Sequence, residues 1–158
     1  MQTDTAGGLS PVNQKREEFV SLDKVRVTLA KLWFAGALSI ALILIVQSLL
    51  GKYETDVQEV WGWVLPTLMP SLGMILAVLS YTALDQTLRA AAVRRSFYEI
   101  SRWLSLVYLL IVLLTILIQP FASNRPVELM RMSNLWLGPL QGLIGSALGV
   151  LFVSKKKT

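Results

Sequence analysis

Leu32-Trp33-Phe34-Ala35-Gly36-Ala37-Leu38-Ser39-Ile40-Ala41-Leu42-Ile43-Leu44-Ile45-Val46-Gln47-Ser48-Leu49-Leu50-Gly51 holds no charged residue. At 1.5 Å of rise per residue, about 20 residues cover the roughly 30 Å hydrocarbon core of a bilayer, so this stretch can span. Three more charge-free stretches of sufficient length follow, at 60–84, 103–124 and 132–154. The charged residues are confined to the five segments before, between and after these stretches. Over 158 residues the chain is 54% hydrophobic and only 16% charged, with a mean hydropathy of +0.57, whereas soluble domains carry about a quarter charged residues. The expected fold is all-α: a four-helix transmembrane bundle over 22–154 with cytoplasmic helical extensions, a polar cytoplasmic tail at 1–21 and a basic tail at 155–158.

Orientation follows from lysine and arginine, which the cytoplasmic side retains. Lys15, Arg16, Lys24, Arg26 and Lys31 precede the first span; Arg89, Arg94, Arg95 and Arg102 lie between the second and third; Lys155, Lys156 and Lys157 follow the fourth. Only Lys52, Arg125 and Arg131 fall in the other two loops. The bias alternates correctly across every span and predicts both termini in the cytoplasm of a multi-pass protein of the inner (plasma) membrane. Trp33 and Trp103 at cytoplasmic ends, and Tyr53, Trp61, Trp63 and Trp136 at outer ends, read as interface anchors. The alternative for Trp61 or Trp63 is to line a ligand site. The start, Met1-Gln2-Thr3-Asp4, has no apolar core of a signal peptide, so the first span is expected to drive insertion.

Local signals refine the spans. Ser10-Pro11 can open a short helix in the tail, and Ser21 can cap a helix that begins at Leu22, with Asp23 in its first turn. Pro66 and Pro70, with Gly73 close behind, predict a kink or hinge in the second helix, whose freed carbonyls need Thr67, Ser71 or a neighbouring helix as partners. Leu88 and Ala90 to Ala92 favour a helix continuing to about Arg94, and Ser96 with Glu99 fits a capping box restarting the third helix near Phe97. That makes a basic cytoplasmic hairpin carrying Arg89, Arg94, Arg95 and Arg102, suited to lipid headgroups or a soluble partner. Gln119 falls near an outer end with water available. Arg125-Pro126-Val127-Glu128 reads as a short surface helix, with Ser133 or Asn134 capping the fourth span.

The fourth span carries Gly138, Gly142, Gly145 and Gly149 on one helical face, widened by Ser146. Such a stripe admits another backbone closely, whether from this chain or from a second copy.

The chemistry is as telling for what is missing. With no cysteine or histidine, disulfides, thiolate chemistry, Cys/His metal sites and a titrating imidazole are excluded. No span holds the ionisable group that ion coupling normally requires. The polar candidates within spans are Ser39, Ser71 and Gln141, either a narrow path or, for Gln141, an interhelical hydrogen bond. Glu54, Asp56 and Glu59 form an acidic outer loop that reads as solvated and carries no metal-ligand pattern. No catalytic residue, cofactor, metal or nucleic-acid partner is expected.

Gly51-Lys52-Tyr53, Glu59-Val60-Trp61-Gly62-Trp63, Leu65-Pro66 with Pro70, and Ser133-Asn134-Leu135-Trp136-Leu137-Gly138-Pro139-Leu140-Gln141 resemble a pattern in small, uncharacterised four-span bacterial membrane proteins. The resemblance implies a membrane module of a prokaryotic defence or signalling system. The expectation is a non-enzymatic module that assembles with itself or a cytoplasmic partner, among membrane lipids, and perturbs the membrane as a pore. The alternative is a small channel or carrier.

Overall fold

The computed structural model describes residues 19–84, 92–121 and 125–153. Four helices dominate them: α1 (Leu22–Leu49), α2 (Val57–Leu84), α3 (Arg95–Leu117) and α4 (Pro126–Val153). All four are long and apolar enough to cross a membrane. Within their most apolar windows only 28–33% of residues are buried in the bundle. Many of the others, among them Leu38, Leu42, Val46, Leu76, Leu114 and Leu143, are exposed, far beyond the apolar patches a water-soluble monomer tolerates. The chain is a multi-pass, all-α membrane bundle.

α1 packs against α2 and α3, α4 packs against the same two, and α1 and α4 meet across the diagonal. The start of α1 and the end of α4 share one end of the bundle, here the termini end; the α1–α2 and α3–α4 connections form the loop end. The inward seam of α1 runs through Leu22, Val25, Leu29, Trp33, Ala37, Ile40 and Leu44, spaced three or four apart as one helical face requires. Since lipid removes most of the hydrophobic drive between helices, fit holds this seam together. Gly36 supplies the closest fit. A Cβ there would come within 2.8 Å of a methyl of Leu109 on α3.

α1 ends as helices commonly do, with a glycine in the left-handed region. Gly51 has φ +72°; its N–H donates to Ser48 O at 3.1 Å, and Lys52 N–H donates to Gln47 O at 3.0 Å. Short 3₁₀ turns follow at Glu54–Asp56, before α2, and at Gln119–Phe121, after α3.

Several local expectations are corrected. Ala92–Arg94 is extended, not helical: this strand, β2, pairs antiparallel with β1 (Phe19–Ser21) in the register Phe19↔Arg94, Val20↔Val93, Ser21↔Ala92. Alanine propensity is a weak preference, and a paired backbone around β-branched Val93 overrides it. Ser21 therefore ends a strand and makes no side-chain cap. Arg94, not Ser96, precedes α3; the capping box does not form, and Glu99 pairs with Arg95 at 3.9 Å instead. The short surface helix is the beginning of α4, which runs unbroken from Pro126, with Ser133 donating to Met130 O at 2.7 Å rather than capping. The tail helix at Ser10-Pro11, Arg89 and Lys155–Lys157 lie outside the described residues.

The anchor assignment also changes. Trp103 and Trp136 are exposed, but Trp33 is 0% exposed and stacks in the core against Tyr108, with ring centroids 5.8 Å apart. Tyr53 and Trp63 are buried too.

Candidate functional site

Pro66 and Pro70 both lie inside α2. Each lacks an N–H, so the carbonyls four residues earlier, at Gly62 and Pro66, lose their helical donors. The Pro66 carbonyl is recovered from outside: Gln141 of α4 donates Nε2 to it at 3.2 Å. One residue on, the Thr67 carbonyl accepts the Tyr108 phenol of α3 at 3.0 Å, and Thr67 Oγ1 turns back to Trp63 O at 2.6 Å. The broken helix is thus tied to both of its α3 and α4 neighbours at consecutive carbonyls. Gly73 is exposed, with open space where a Cβ would stand.

The residues read as a polar path are not brought together. Ser71 is buried in the bundle, Gln141 is taken up by Pro66, and Ser39 is exposed, donating to Ala35 O at 2.8 Å. Ser39 sits instead in an apolar groove of about 380 Å³ between α1 and α3, lined by Leu32, Gly36, Leu109 and Leu113 among others.

The glycine face of α4 points away from the bundle. At Gly138, Gly142, Gly145 and Gly149 an added Cβ would meet nothing within 4 Å, and Ser146 is exposed beside them, donating to Gly142 O at 2.9 Å. Among the described residues the stripe does not serve packing within the chain. Among the glycines of the described helices, Gly36 makes the close approach.

At the termini end the structure supplies a residue that sequence reasoning had counted only as a topology charge. Arg26 is 5% exposed, and its guanidinium donates to the last turn of α4: Nε to Leu151 O and Nη2 to Phe152 O, both at 3.0 Å. The last carbonyls of a helix have no internal donors and carry its negative dipole end, so a planar cation suits them. Arg94, Arg95 and Arg102 are exposed at this same end, leaving a basic surface there.

The loop end holds a second polar set. Tyr53 bonds through its hydroxyl to the Oε1 atoms of Gln47 and, at 3.1 Å, Gln119. One phenol proton cannot serve two amide oxygens. Turning the Gln119 amide over places its otherwise unpartnered Nε2 on the phenol, which then donates to Gln47 and accepts from Gln119. Gln119 is 5% exposed, so it is a buried link between the α1–α2 loop and α3, not a residue in water. Burial pushes the Tyr53 phenol up to about 12 and lowers the pKa of Lys52, whose Nζ lies 5.4 Å from the Tyr53 ring centroid without a hydrogen-bond partner.

Beside this set, the N-terminal turns of α2 and α4 enclose a cleft of about 310 Å³ lined by Asp56, Glu59, Arg125, Val127, Glu128 and Arg131. Arg131 reaches Glu59 across it at 3.3 Å. A second hollow of about 290 Å³ shares Glu59, Val127 and Arg131 and continues to Trp63 and Met130. The indole of Trp63 donates to Asn134 Oδ1 at 3.0 Å. The acidic loop is therefore split: Asp56 and Glu59 face this cleft, Glu54 does not line it, and no group of three acidic residues among the described residues could hold a metal ion.

Neither Arg26 nor the cleft was legible as a site, because their partners lie 125 residues and about 70 residues away in sequence. The interior prolines did signal a need for outside donors, for which Thr67, Ser71 or a neighbouring helix was expected; at Pro66 the donor is Gln141 of α4. Comparisons with protein families, with curated proteins and with solved structures find no match for this chain.

Proposed function

We propose that this chain is a non-enzymatic module of the inner membrane, with both termini cytoplasmic, that works by assembling with further copies of itself through the glycine face of α4. The observation that carries this reading is the open space over Gly138, Gly142, Gly145 and Gly149. Glycine in a helix interior costs about 0.5–1 kcal/mol relative to alanine, and among the described residues no neighbouring helix uses the room it leaves. A second membrane helix can use it, through close backbone approach. The exposed Arg94, Arg95 and Arg102 at the termini end then form a basic cytoplasmic rim for acidic headgroups or a soluble partner, consistent with the defence or signalling role implied by the resemblance. The channel reading draws no comparable support from the separated Ser39, Ser71 and Gln141.

The test is the mass of the detergent-purified protein, with crosslinking in membranes. Wild type should run as an oligomer, and Gly142→Leu with Gly145→Leu should shift it to monomer with its helicity retained. An unchanged mass and crosslinking pattern would refute the assembly reading.

A further inference from the structure

We infer that the loop-end cleft between α2 and α4 binds the headgroup of a membrane lipid carrying both a phosphate and a primary ammonium, in the leaflet at that end of the bundle. The cleft carries both signs of charge: Arg125 and Arg131 on one hand, Asp56, Glu59 and Glu128 on the other. Internal pairing uses little of this. Among the described residues Arg131 and Glu59 form one ion pair across it, with side chains 77% and 55% exposed, and such a pair is worth little and exchanges readily. Among the described residues no ion pair reaches Arg125, Asp56 or Glu128, and Asp56 accepts a side-chain hydrogen bond only from the adjacent Thr55 hydroxyl at 3.4 Å.

The ligand class follows from these groups. Two guanidinium forks converge on one cavity, an arrangement suited to a phosphate. Three carboxylates outnumber them, so a purely anionic headgroup meets net repulsion, while a ligand that brings its own cation is matched on both sides. Carboxylates recognise that cation by accepting N–H bonds, which a primary ammonium offers and a quaternary one lacks. A quaternary ammonium calls for an aromatic cage. Here one tryptophan, Trp63, lines the second hollow, with its indole N–H committed to Asn134.

The lipid source follows from the shape and place of the cleft. It opens at the ends of two apolar helices that are long enough to cross a membrane, where headgroups lie. Its charged mouth is continuous, through Glu59, Val127 and Arg131, with a second hollow that Gly62, Trp63, Met130 and Asn134 also line. A charged cleft at the headgroup level, beside a hollow of mixed polar and apolar lining, matches the headgroup and glycerophosphate of a lipid.

The experiment uses the full chain in nanodiscs of phosphatidylcholine doped with either phosphatidylethanolamine or phosphatidylglycerol, with native mass spectrometry of the lipid retained. Phosphatidylethanolamine should be retained about tenfold over both others, the factor one good charge-assisted contact supplies. Glu59→Gln with Glu128→Gln, and separately Arg125→Gln with Arg131→Gln, should each abolish the preference. The residues are exposed, so both variants should keep wild-type helicity by circular dichroism. Equal retention of the three lipids, a preference for phosphatidylglycerol, or an unchanged preference in both variants would overturn the proposal. Free phosphoethanolamine quenching tryptophan fluorescence in lipid-free micelles as strongly as the lipid does would overturn the lipid source.

Discussion

The Arg26 guanidinium and the Phe152 carbonyl are 3.0 Å apart across 126 residues of sequence, so the first turn of the first helix closes the last turn of the fourth. α1 and α4 otherwise meet only across the bundle diagonal, and this contact fixes their ends together. Arg26→Ala would strip donors from two carbonyls at once. The expected loss is about 2–3 kcal/mol, read as the midpoint of unfolding in mixed micelles with dodecyl sulfate. Arg26→Lys should recover less than half of it, because an ammonium is a point donor and cannot span both carbonyls as the planar fork does.

Gln141 and Pro70 form a testable pair. Pro70 is the reason the Pro66 carbonyl lacks a helical donor, and Gln141 supplies one. Gln141→Leu should cost about 0.6–1.7 kcal/mol in the wild-type background, the range measured for interhelical hydrogen bonds in membranes. In Pro70→Ala, the restored amide at position 70 serves the carbonyl, and Gln141→Leu should become nearly neutral. A double-mutant cycle measures the coupling, and a zero value would separate the two residues.

The glycines divide into two kinds. Gly36→Leu must displace Leu109 and should destabilise the monomer by about 1–3 kcal/mol, as overpacking does. Gly142→Leu faces open space and should leave monomer stability unchanged or raise it by up to about 1 kcal/mol through helix propensity, while weakening self-association. Unfolding at high detergent dilution of the protein, set against crosslinking at high protein density, distinguishes the two.

Tyr53 predicts an alkaline transition. Its pKa rises on folding from the ordinary 10.0 to about 12, so the folded state holds its proton more tightly. Stability from this group is complete below pH 10 and is lost as pH rises from about 10 through about 12. Lys52, lowered by burial, acts in the opposite sense, gaining stability as pH approaches its ordinary 10.5. The difference between wild type and Tyr53→Phe isolates the phenol. A thermal-shift series from pH 8 upward should show the wild-type advantage shrinking above pH 10; a constant difference would contradict it.

The number of helices and their approximate limits could be read directly, because charge and hydrophobicity in a membrane chain are segregated along the sequence itself. Leu22 as the start of α1 was read from Ser21 and the apolar run that follows it, whereas Pro126 was read as opening a separate surface helix and proves to begin α4 itself. Which way a residue faces was not. Trp33 and Trp103 are both tryptophans at the termini end, yet one is in the core and one on the surface. In an apolar helix the lipid face and the packed face have the same composition, so periodicity separates them poorly. The glycine stripe illustrates the same limit: its shared face was evident, but its outward direction depended on where α2 and α3 lie. Ala92–Arg94 failed for another reason, since its partner strand lies more than 70 residues earlier and local propensity carries no trace of it.

The small β1–β2 ribbon has a mechanical consequence. It ties the chain immediately before α1 to the chain immediately before α3, and a one-residue slip would invert the faces of Val20 and Val93. The axial stagger of α1 against α3 is therefore clamped. Piston-like sliding between them would require breaking the ribbon, whereas α2 lacks two internal hydrogen bonds, one of them replaced by the Gln141 side chain, and bends at lower cost. Against the fixed α1–α3 frame, flexing is expected at the proline-bearing helices, α2 at Pro66 and Pro70 and α4 at Pro139.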